Sequence, residues 1–233
     1  MKLNQYIPNK FSIYFRRLLY YFTGEKFYKN LKYDWHKYPN RTEIINKIIQ
    51  IKNYKSYLEI GCQSDVNFSQ IKIDHIIGVD PFDGGTHRMT SDKFFEQNNE
   101  NFDLIFIDGL HEYSQVKKDI ENSVKCLNAN GVIILHDCLP SKIWHQTISR
   151  THSSWNGDVW KAIVECRTQK HIDTYTCIAD HGLGVVFKRS NKKVLSLDVN
   201  NFKDLKFKDY YNNHKEFMNL IQVEDLFNLL EQN

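Results

Sequence analysis

The stretch "FDLIFIDGLHEYSQVKKDIENSVKCLNANGVIILHDC", residues 102–138, decides the fold. It begins as an unbroken apolar run, continues with apolar residues at helical spacing, and ends in a second apolar run. One face of the middle segment is formed by Tyr113, Val116, Ile120, Val124 and Leu127. The pattern predicts a strand, an amphipathic helix and a strand, which is the repeating unit of a parallel sheet covered by helices on both faces.

The same alternation continues on both sides of this stretch. Strands are predicted at "KSYLEIGC", "HIIGVD", "THRMT", "HIDTYTCIA" and "LGVVFKR", and helices at "RTEIINKIIQIKN", "SDKFFEQNN" (capped by Ser91), "GDVWKAIVECR" and "HKEFMNLIQVEDLFNLLEQ". The turn "DHG" joins the last two strands as a hairpin, which places an antiparallel strand at the edge. We therefore expect an α/β protein with a doubly wound, mostly parallel, seven-stranded sheet.

Composition restricts the class of protein. The chain has 233 residues, 41% of them hydrophobic, which suffices for one sizeable core with appendages at residues 1–40 and 191–233. A formal net charge of +3 and the lack of a basic stretch interleaved with aromatics argue against a nucleic-acid partner. Five cysteines without C-x-x-C spacing, no membrane-length apolar run and no signal peptide predict a soluble, cytoplasmic protein.

The N-terminal extension leaves two interpretations open. In "FSIYFRRLLYYFTGEKFYKNLKYDW", aromatic and aliphatic residues alternate with Arg16, Arg17, Lys26, Lys29 and Lys32. This pattern is typical of a helix that covers its own domain or a dimer partner. It is also typical of a helix that lies on a membrane surface at the cytoplasmic face.

Acidic residues follow the predicted strands. In a doubly wound sheet, ligands bind beyond the carboxyl ends of the strands. Acids stand at or shortly after five such ends, namely Glu59, Asp80, Asp92, Asp108 and Asp137. One pocket lined with carboxylates explains this distribution.

The cofactor follows from the second strand and the first turn. Asp80 suits a ribose, because one carboxylate can accept hydrogen bonds from both hydroxyls. The first turn, "EIGCQSDVNF", has a single glycine instead of G-x-G-x-x-G, and the sequence contains no G-x-x-x-x-G-K-[ST]. A nucleoside cofactor without phosphate remains, which points to S-adenosylmethionine.

Four segments carry a family resemblance. "YLEIGCQ", "IIGVDP", the stretch 102–138 and "WNGDVWKAI" resemble the small class I S-adenosylmethionine-dependent methyltransferases, whose signature pairs I-D-G-x-H with H-D. The resemblance implies a Rossmann-like methyltransferase domain over residues 41–190. It also implies O-methylation of a sugar hydroxyl in a surface glycan or nucleotide sugar, because such relatives often accompany polysaccharide biosynthesis genes.

The resemblance also implies a cofactor site. Its methionine part would be held by Glu59, Gly61 and Gln63, its ribose by Asp80 and its adenine by Ser91 and Asp92, and its methyl group would lie near Asp108. Cys62, Pro81 and Gly109 are further cofactor-binding candidates. Many relatives have a second glycine in the first loop, where this chain has Ser64, Asp65 and Val66.

Activation of an acceptor hydroxyl requires a base or a cation. His111 is the candidate general base, and Asp108 and His136 complete the catalytic candidates. Alternatively, Mg²⁺ or another divalent cation could bind to Asp108, His136 and Asp137. The metal-dependent relatives have two adjacent acids at the place of His136 and Asp137, so the first acid of that pair is a histidine here. Structural roles are the other interpretation: His111 would cap a helix or bond a loop carbonyl, and Asp137 would form an Asx-turn.

The segment after the catalytic strands is the candidate acceptor site. "LPSKIWHQTISRTHSS" would form a lid, and Trp155, Asn156 and His145 would bind the acceptor, with Trp155 stacking on a sugar ring. Capping of the next helix by Asn156 or Asp158 is the structural alternative. Two other functions stay open: a non-methylating binding protein in a glycan assembly complex, and a membrane-surface adaptor.

Overall fold

The computed structural model describes residues 10–231, so the first nine residues of the predicted N-terminal extension lie outside the described residues. The strands are β1 (Ser56–Ile60), β2 (His75–Val79), β3 (Phe102–Ile107), β4 (Leu127–Leu135), β5 (Asp173–Cys177), β6 (Leu183–Phe187) and β7 (Leu220–Ile221). The helices are α1 (Lys10–Thr23), α2 (Arg41–Lys52), α3 (Ser91–Gln97), α4 (Tyr113–Lys125), α5 (Val159–Thr168), α6 (Phe207–Met218) and α7 (Val223–Glu231).

These strands form one sheet in the order β2-β1-β3-β4-β6-β5-β7. β1 is parallel to β2 and β3, β3 is parallel to β4, and β6 runs antiparallel to both of its neighbours. The central strands are buried on both faces, which is why Leu104, Ile105, Phe106, Ile133 and Ile134 form continuous apolar runs. The predicted doubly wound, mostly parallel, seven-stranded α/β fold is confirmed.

The predicted short strand at "THRMT" is wrong. This segment contributes a single bridge, between Val79 and His87. The helix that follows begins one residue earlier than predicted, because the Thr90 hydroxyl accepts a hydrogen bond from the Lys93 amide at 3.3 Å. Thr90, and not Ser91, therefore caps α3.

The seventh strand comes from the C-terminal segment. The predicted single helix is divided into α6, β7 and α7, because Asn219 adopts a left-handed backbone conformation, with φ 46°, and ends α6. β7 pairs in parallel with β5 and forms that edge of the sheet. The predicted hairpin exists as β5 and β6, but its antiparallel strand lies inside the sheet and not at its edge.

Among the helices within residues 10–231, none is both long enough and apolar enough to cross a membrane.

Candidate active site

A cavity of about 760 Å³ lies at the carboxyl ends of β1 to β4. Its walls include all ten residues predicted to bind the cofactor: Glu59, Gly61, Cys62, Gln63, Asp80, Pro81, Ser91, Asp92, Asp108 and Gly109. They also include His111, His136, Asp137 and Trp155, but His145 and Asn156 are not among the lining residues. The structure thus brings four separate loops of the chain to one space.

Glu59 is a buried acid that lines this cavity. Its Oε2 accepts hydrogen bonds from the Tyr57 hydroxyl at 2.5 Å and from Asn67 Nδ2 at 2.8 Å. Burial raises the pKa of Glu59 to about 7, although both hydrogen bonds act in the opposite direction. Asn67 had not been expected at the site; it lies in an irregular loop, where no periodic pattern indicates which side chains point inward.

The first loop is ordered without a second glycine. Gly61 has a φ of 94°, and a Cβ there would collide with the Asp108 backbone, so this position requires glycine. Asp65 adopts a φ of 59°, a conformation that aspartate tolerates better than most residues, and its Oδ1 accepts a hydrogen bond from the Gly85 amide at 2.7 Å. The departure from the family pattern at Ser64, Asp65 and Val66 therefore does not disrupt the turn.

Asp80 braces the same loop. Its Oδ2 accepts a hydrogen bond from the Gln63 amide at 2.9 Å, and its Oδ1 accepts from the amides of Phe82 and Asp83 at 2.7 and 3.0 Å. The carboxylate is thus held in one orientation at the end of β2, where the sequence predicts a ribose.

Gln115 organises the predicted adenine end. Its Nε2 donates to Ser91 Oγ at 3.2 Å, to Asp92 Oδ1 at 2.9 Å and to Asp119 Oδ1 at 3.1 Å. Burial raises the pKa of Asp119 to about 6. Gln115 and Asp119 both line the cavity, and the sequence analysis missed them because they lie on α4 rather than at a strand end.

An acid and imidazole cluster forms the opposite wall. His111 Nε2 lies 3.1 Å from Asp108 Oδ1, and His111 Nδ1 lies 3.4 Å from Asp137 Oδ2. His136 Nδ1 lies 3.3 Å from an oxygen of each of the same two carboxylates. His111 does not cap α4, whose N-cap is Glu112, but its Nδ1 lies 3.3 Å from the Trp155 carbonyl oxygen, so it contacts a loop carbonyl as well as the cluster. The Asp137 carboxylate accepts a hydrogen bond from Asn156 Nδ2.

Two residues beyond the predicted set complete the cluster. Asp180 Oδ1 lies 3.4 Å from His136 Nε2, and Asp180 Oδ2 accepts a hydrogen bond from the Arg41 amide at 2.7 Å. The Arg41 guanidinium lies 3.3 Å from Asp180 through Nη1 and 3.9 Å from Asp108 through Nε. Asp180 follows β5 and is therefore a further acid at a strand end. It was not predicted as a site residue because "DHG" was interpreted only as a hairpin turn.

Mutual charge sets the protonation of the cluster. Burial lowers the pKa of both imidazoles, but the neighbouring carboxylates outweigh it, so that the pKa of His111 is raised and that of His136 is raised well above its ordinary value. Burial raises the pKa of the Asp108 carboxyl, but His136 and His111 reverse this effect and hold it far below its ordinary value. These contacts therefore favour the charged forms of His111 and His136 and the ionised form of Asp108.

The predicted acceptor residues have three different positions. Trp155 lines the cavity and stacks on the His111 ring, with centroids 5.1 Å apart and planes inclined by 16°. Asn156 is fully buried, and its Nδ2 donates to Asp137 Oδ1 at 2.7 Å. His145 is also buried, and its Nδ1 lies 3.2 Å from Ser141 Oγ, so the prediction that it reaches an acceptor is not supported by its position.

The turn after the lid positions His111. Gly157 has a φ of 60°, and a Cβ there would collide with the His111 carbonyl oxygen. Asp158 occupies the N-cap position of α5, as one of the two predicted alternatives, but its side chain makes no capping hydrogen bond. Its Oδ1 instead accepts a hydrogen bond from the Tyr113 amide, the first of α4, at 2.6 Å. The segment is thus anchored to the start of the helix that follows His111.

Asp108, His111 and Asp137 can provide a metal site. One ligand atom from each lies within 4.8 Å of those of the other two. This set contains His111 where the sequence analysis had placed His136, whose Nε2 instead faces Asp180 and Arg41. Two carboxylates and an imidazole form a donor set that suits Mn²⁺ or Zn²⁺ at least as well as Mg²⁺, which prefers oxygen.

Comparisons with known proteins bear on the fold and on part of the sequence. Residues 65–138, less than half of the chain, match a family model described as a methyltransferase domain. Among curated proteins no match is found. The structure of an S-adenosylhomocysteine-bound methyltransferase from Podospora anserina has 15% sequence identity and a TM-score of 0.50, over 66% of this chain and 81% of that one. An O-methyltransferase from Bacillus cereus, also in complex with S-adenosylhomocysteine, has 12% identity and a TM-score of 0.46, over 77% of this chain and 90% of that one.

The matched residues run from the first loop to the end of β4 and include Asp80, Asp108, His111 and Asp137. This part of the chain contributes most of the cavity wall. Residues 65–138 are therefore similar to a methyltransferase domain, and the chain has the Rossmann-like fold of the methyltransferase structure from Podospora anserina.

Proposed function

We propose that this protein is an S-adenosylmethionine-dependent O-methyltransferase whose acceptor is a sugar hydroxyl, in a glycan or a nucleotide sugar. We further propose that Asp108, His111 and Asp137 hold a divalent cation. The observation that carries the proposal is the convergence of these three side chains, with ligand atoms within 4.8 Å, on the wall of the cavity that the predicted cofactor residues line.

The chemistry of methyl transfer explains why such a cluster would be needed. The acceptor oxygen must be held in line with the methyl group of the sulfonium at near-attack distance. A sugar hydroxyl is protonated at neutral pH, so it also needs a base or a Lewis acid. When bound, a divalent cation would lower the pKa of the hydroxyl and orient it, while S-adenosylmethionine would supply the methyl group.

The residues around the cluster hold its ligands in place. Asn156 fixes Asp137 through the 2.7 Å hydrogen bond, and Trp155 stacks on His111. His136 bridges Asp108 and Asp137 on one side and Asp180 on the other. Such supporting contacts fix ligand orientation, and their loss commonly weakens metal binding by about 10- to 100-fold.

Geometry favours His111 as a ligand rather than as the general base. Its Nε2 faces Asp108 at 3.1 Å, and its Nδ1 faces both Asp137 at 3.4 Å and the Trp155 carbonyl oxygen at 3.3 Å. Both nitrogens are therefore directed at the carboxylates with which His111 would share a cation, and ligation would require the neutral imidazole. A base would need one nitrogen directed at the acceptor hydroxyl.

The methionine end of the cofactor would meet Glu59 and Arg41. Arg41 lines the cavity, and its buried Nε has no hydrogen-bond partner among the described residues. A free guanidinium N–H and a buried carboxylate are complementary to the carboxylate and the ammonium of a methionine moiety. The acceptor end has Arg150, Ser153 and Ser154 beside Trp155, and these polar groups next to an aromatic ring suit a sugar.

The proposal is tested by measuring S-adenosylhomocysteine release with a panel of nucleotide sugars and glycosides, with a catechol and an amine as competing acceptor classes. Wild type, Asp137→Asn and the exposed-site control Asp198→Asn are compared after chelation and after addition of Mg²⁺ or Mn²⁺. We expect turnover on a sugar that chelation lowers by more than ~10-fold and that metal restores in all but Asp137→Asn. Turnover that persists unchanged after chelation but is lost in His111→Gln would instead assign His111 as the base.

A further inference from the structure

Helix α1 exposes an apolar face. None of its residues is buried, and Phe11, Phe15, Leu18 and Phe22 are 78%, 58%, 44% and 72% exposed. These four residues, hereafter the apolar face of α1, recur at positions i, i+4, i+7 and i+11 and therefore share one side of the helix. Large contiguous apolar surfaces of this kind mark interaction sites.

The helix is attached to the domain by its other side. Arg17 donates to the Thr151 carbonyl oxygen from Nε at 3.2 Å and from Nη2 at 3.1 Å, and its guanidinium lies over the Trp144 ring at 5.7 Å. Tyr20 contacts Trp144 edge-on, with ring centroids 5.6 Å apart. A helix that only covers a core directs its largest apolar residues inward, whereas α1 contacts the domain through Arg17 and Tyr20 and directs Phe11, Phe15, Leu18 and Phe22 outward.

The charge of the N-terminal segment indicates what kind of partner binds the apolar face of α1. Residues 10–32 contain six lysines and arginines and a single acid, Glu25, and the rest of the chain has a net negative formal charge. The Glu25 carboxylate accepts hydrogen bonds from the Phe207 and Lys208 amides at 2.8 Å each, so it is bound to the start of α6. Lys26 and Lys29 are exposed beside the helix.

An apolar face flanked by uncompensated cations is complementary to a bilayer with anionic head groups. A second copy of this chain fits less well, because two such segments would bring like charges together. We propose that α1 binds the surface of an anionic lipid bilayer, with the apolar face of α1 at the acyl boundary and Lys26 and Lys29 at the head groups.

This contact would lie next to the acceptor side of the cavity. Arg17 bonds to Thr151, and that residue's neighbours Arg150, Ser153 and Ser154 line the cavity. Membrane binding would therefore hold the lid segment close to the lipid surface. The inference does not depend on the reaction catalysed, because it concerns residues outside the cavity.

The test is flotation of the full chain with phosphatidylcholine vesicles that contain or lack phosphatidylglycerol. We expect binding only to the anionic vesicles and its loss at high salt. The triple variant Phe11→Ser, Phe15→Ser and Phe22→Ser should bind at least ~10-fold more weakly, since each phenylalanine loses apolar burial. The double variant Lys26→Glu and Lys29→Glu should also bind more weakly.

Two controls match these changes at a distant site. Lys192→Glu with Lys193→Glu repeats the charge reversal, and Val194→Ser removes an apolar side chain that is 43% exposed; both should bind like wild type. Circular dichroism and binding of S-adenosylhomocysteine should be unaffected in the α1 variants, which separates lipid binding from folding and from the cofactor site. Equal binding to neutral vesicles, full binding by the triple variant, or a solution dimer that the triple variant abolishes would each overturn the proposal.

Discussion

Replacement of Glu59 by glutamine should change the pH dependence of stability. Glu59 is 1% exposed, and burial raises its pKa from an ordinary value of 4.5 to about 7. Folding therefore favours the protonated form. The contribution of this raised pKa to the free energy of unfolding is complete below pH 4.5 and is lost as the pH rises through 7.

The magnitude follows from the size of the shift. The difference between 4.5 and about 7 corresponds to about 3 kcal/mol in total, of which about 2 kcal/mol falls between pH 5 and pH 8. Glutamine keeps the acceptor oxygen for Tyr57 and Asn67 but cannot ionise. The free energy of unfolding of Glu59→Gln should thus rise relative to wild type by about 2 kcal/mol between these two pH values.

Urea unfolding at both pH values, without cofactor, measures this difference. Glu96→Gln, which removes an exposed carboxylate, controls for the loss of one ionisable group. If the difference between Glu59→Gln and wild type stays constant within ~0.5 kcal/mol, Glu59 does not carry the raised pKa and the reasoning is refuted. A cofactor ammonium beside Glu59 would favour its ionised form, so the affinity of wild type for S-adenosylhomocysteine should rise through pH 7, whereas that of Glu59→Gln should not.

Three further changes test the supporting contacts of the site. Asn156→Ala should weaken Mn²⁺ binding by about 10- to 100-fold, measured by titration calorimetry, because Asp137 loses its 2.7 Å hydrogen bond. Gly157→Ala should lower the free energy of unfolding by about 2 kcal/mol or more, since its φ of 60° strains any Cβ. Gly109→Ala is its stability control, because a Cβ at that position would lie 3.4 Å from Ile60, an ordinary contact distance. An equal loss of unfolding free energy in both variants would contradict the strain argument. Trp155→Ala should raise the KM for the acceptor more than the Kd for S-adenosylhomocysteine; the reverse order would place the indole at the cofactor end.

Local sequence patterns were sufficient to predict the central strands of the sheet. β3, α4 and β4 could be predicted because the burial of a strand or of one helix face requires apolar residues in a regular pattern. That pattern is visible in the sequence. The end of α6 was missed because a single left-handed residue, Asn219, decides it. Such a residue leaves no periodic signal.

The residues at the predicted strand ends were sufficient to predict the position of the cavity, but not all of the residues that line it. Asp108 and Asp137 follow strands, and the parallel arrangement brings them together without further information. Arg41 and Asp180 meet His136 across long sequence separations, and their side chains converge only in the folded chain. His145 and Asn156 were predicted to bind the acceptor, but both are buried. Polar residues near a site can support other side chains instead of contacting a ligand.

The central claim is that the cavity binds S-adenosylmethionine, and titration calorimetry with S-adenosylhomocysteine tests it most directly. Wild type is compared with Asp80→Asn and with the exposed-site control Asp74→Asn. We expect one saturable site in wild type and the control, and binding weakened at least ~10-fold in Asp80→Asn, because the Asp80 carboxylate braces the first loop and would accept hydrogen bonds from the ribose. No saturable binding to wild type, with or without a divalent cation, would contradict it.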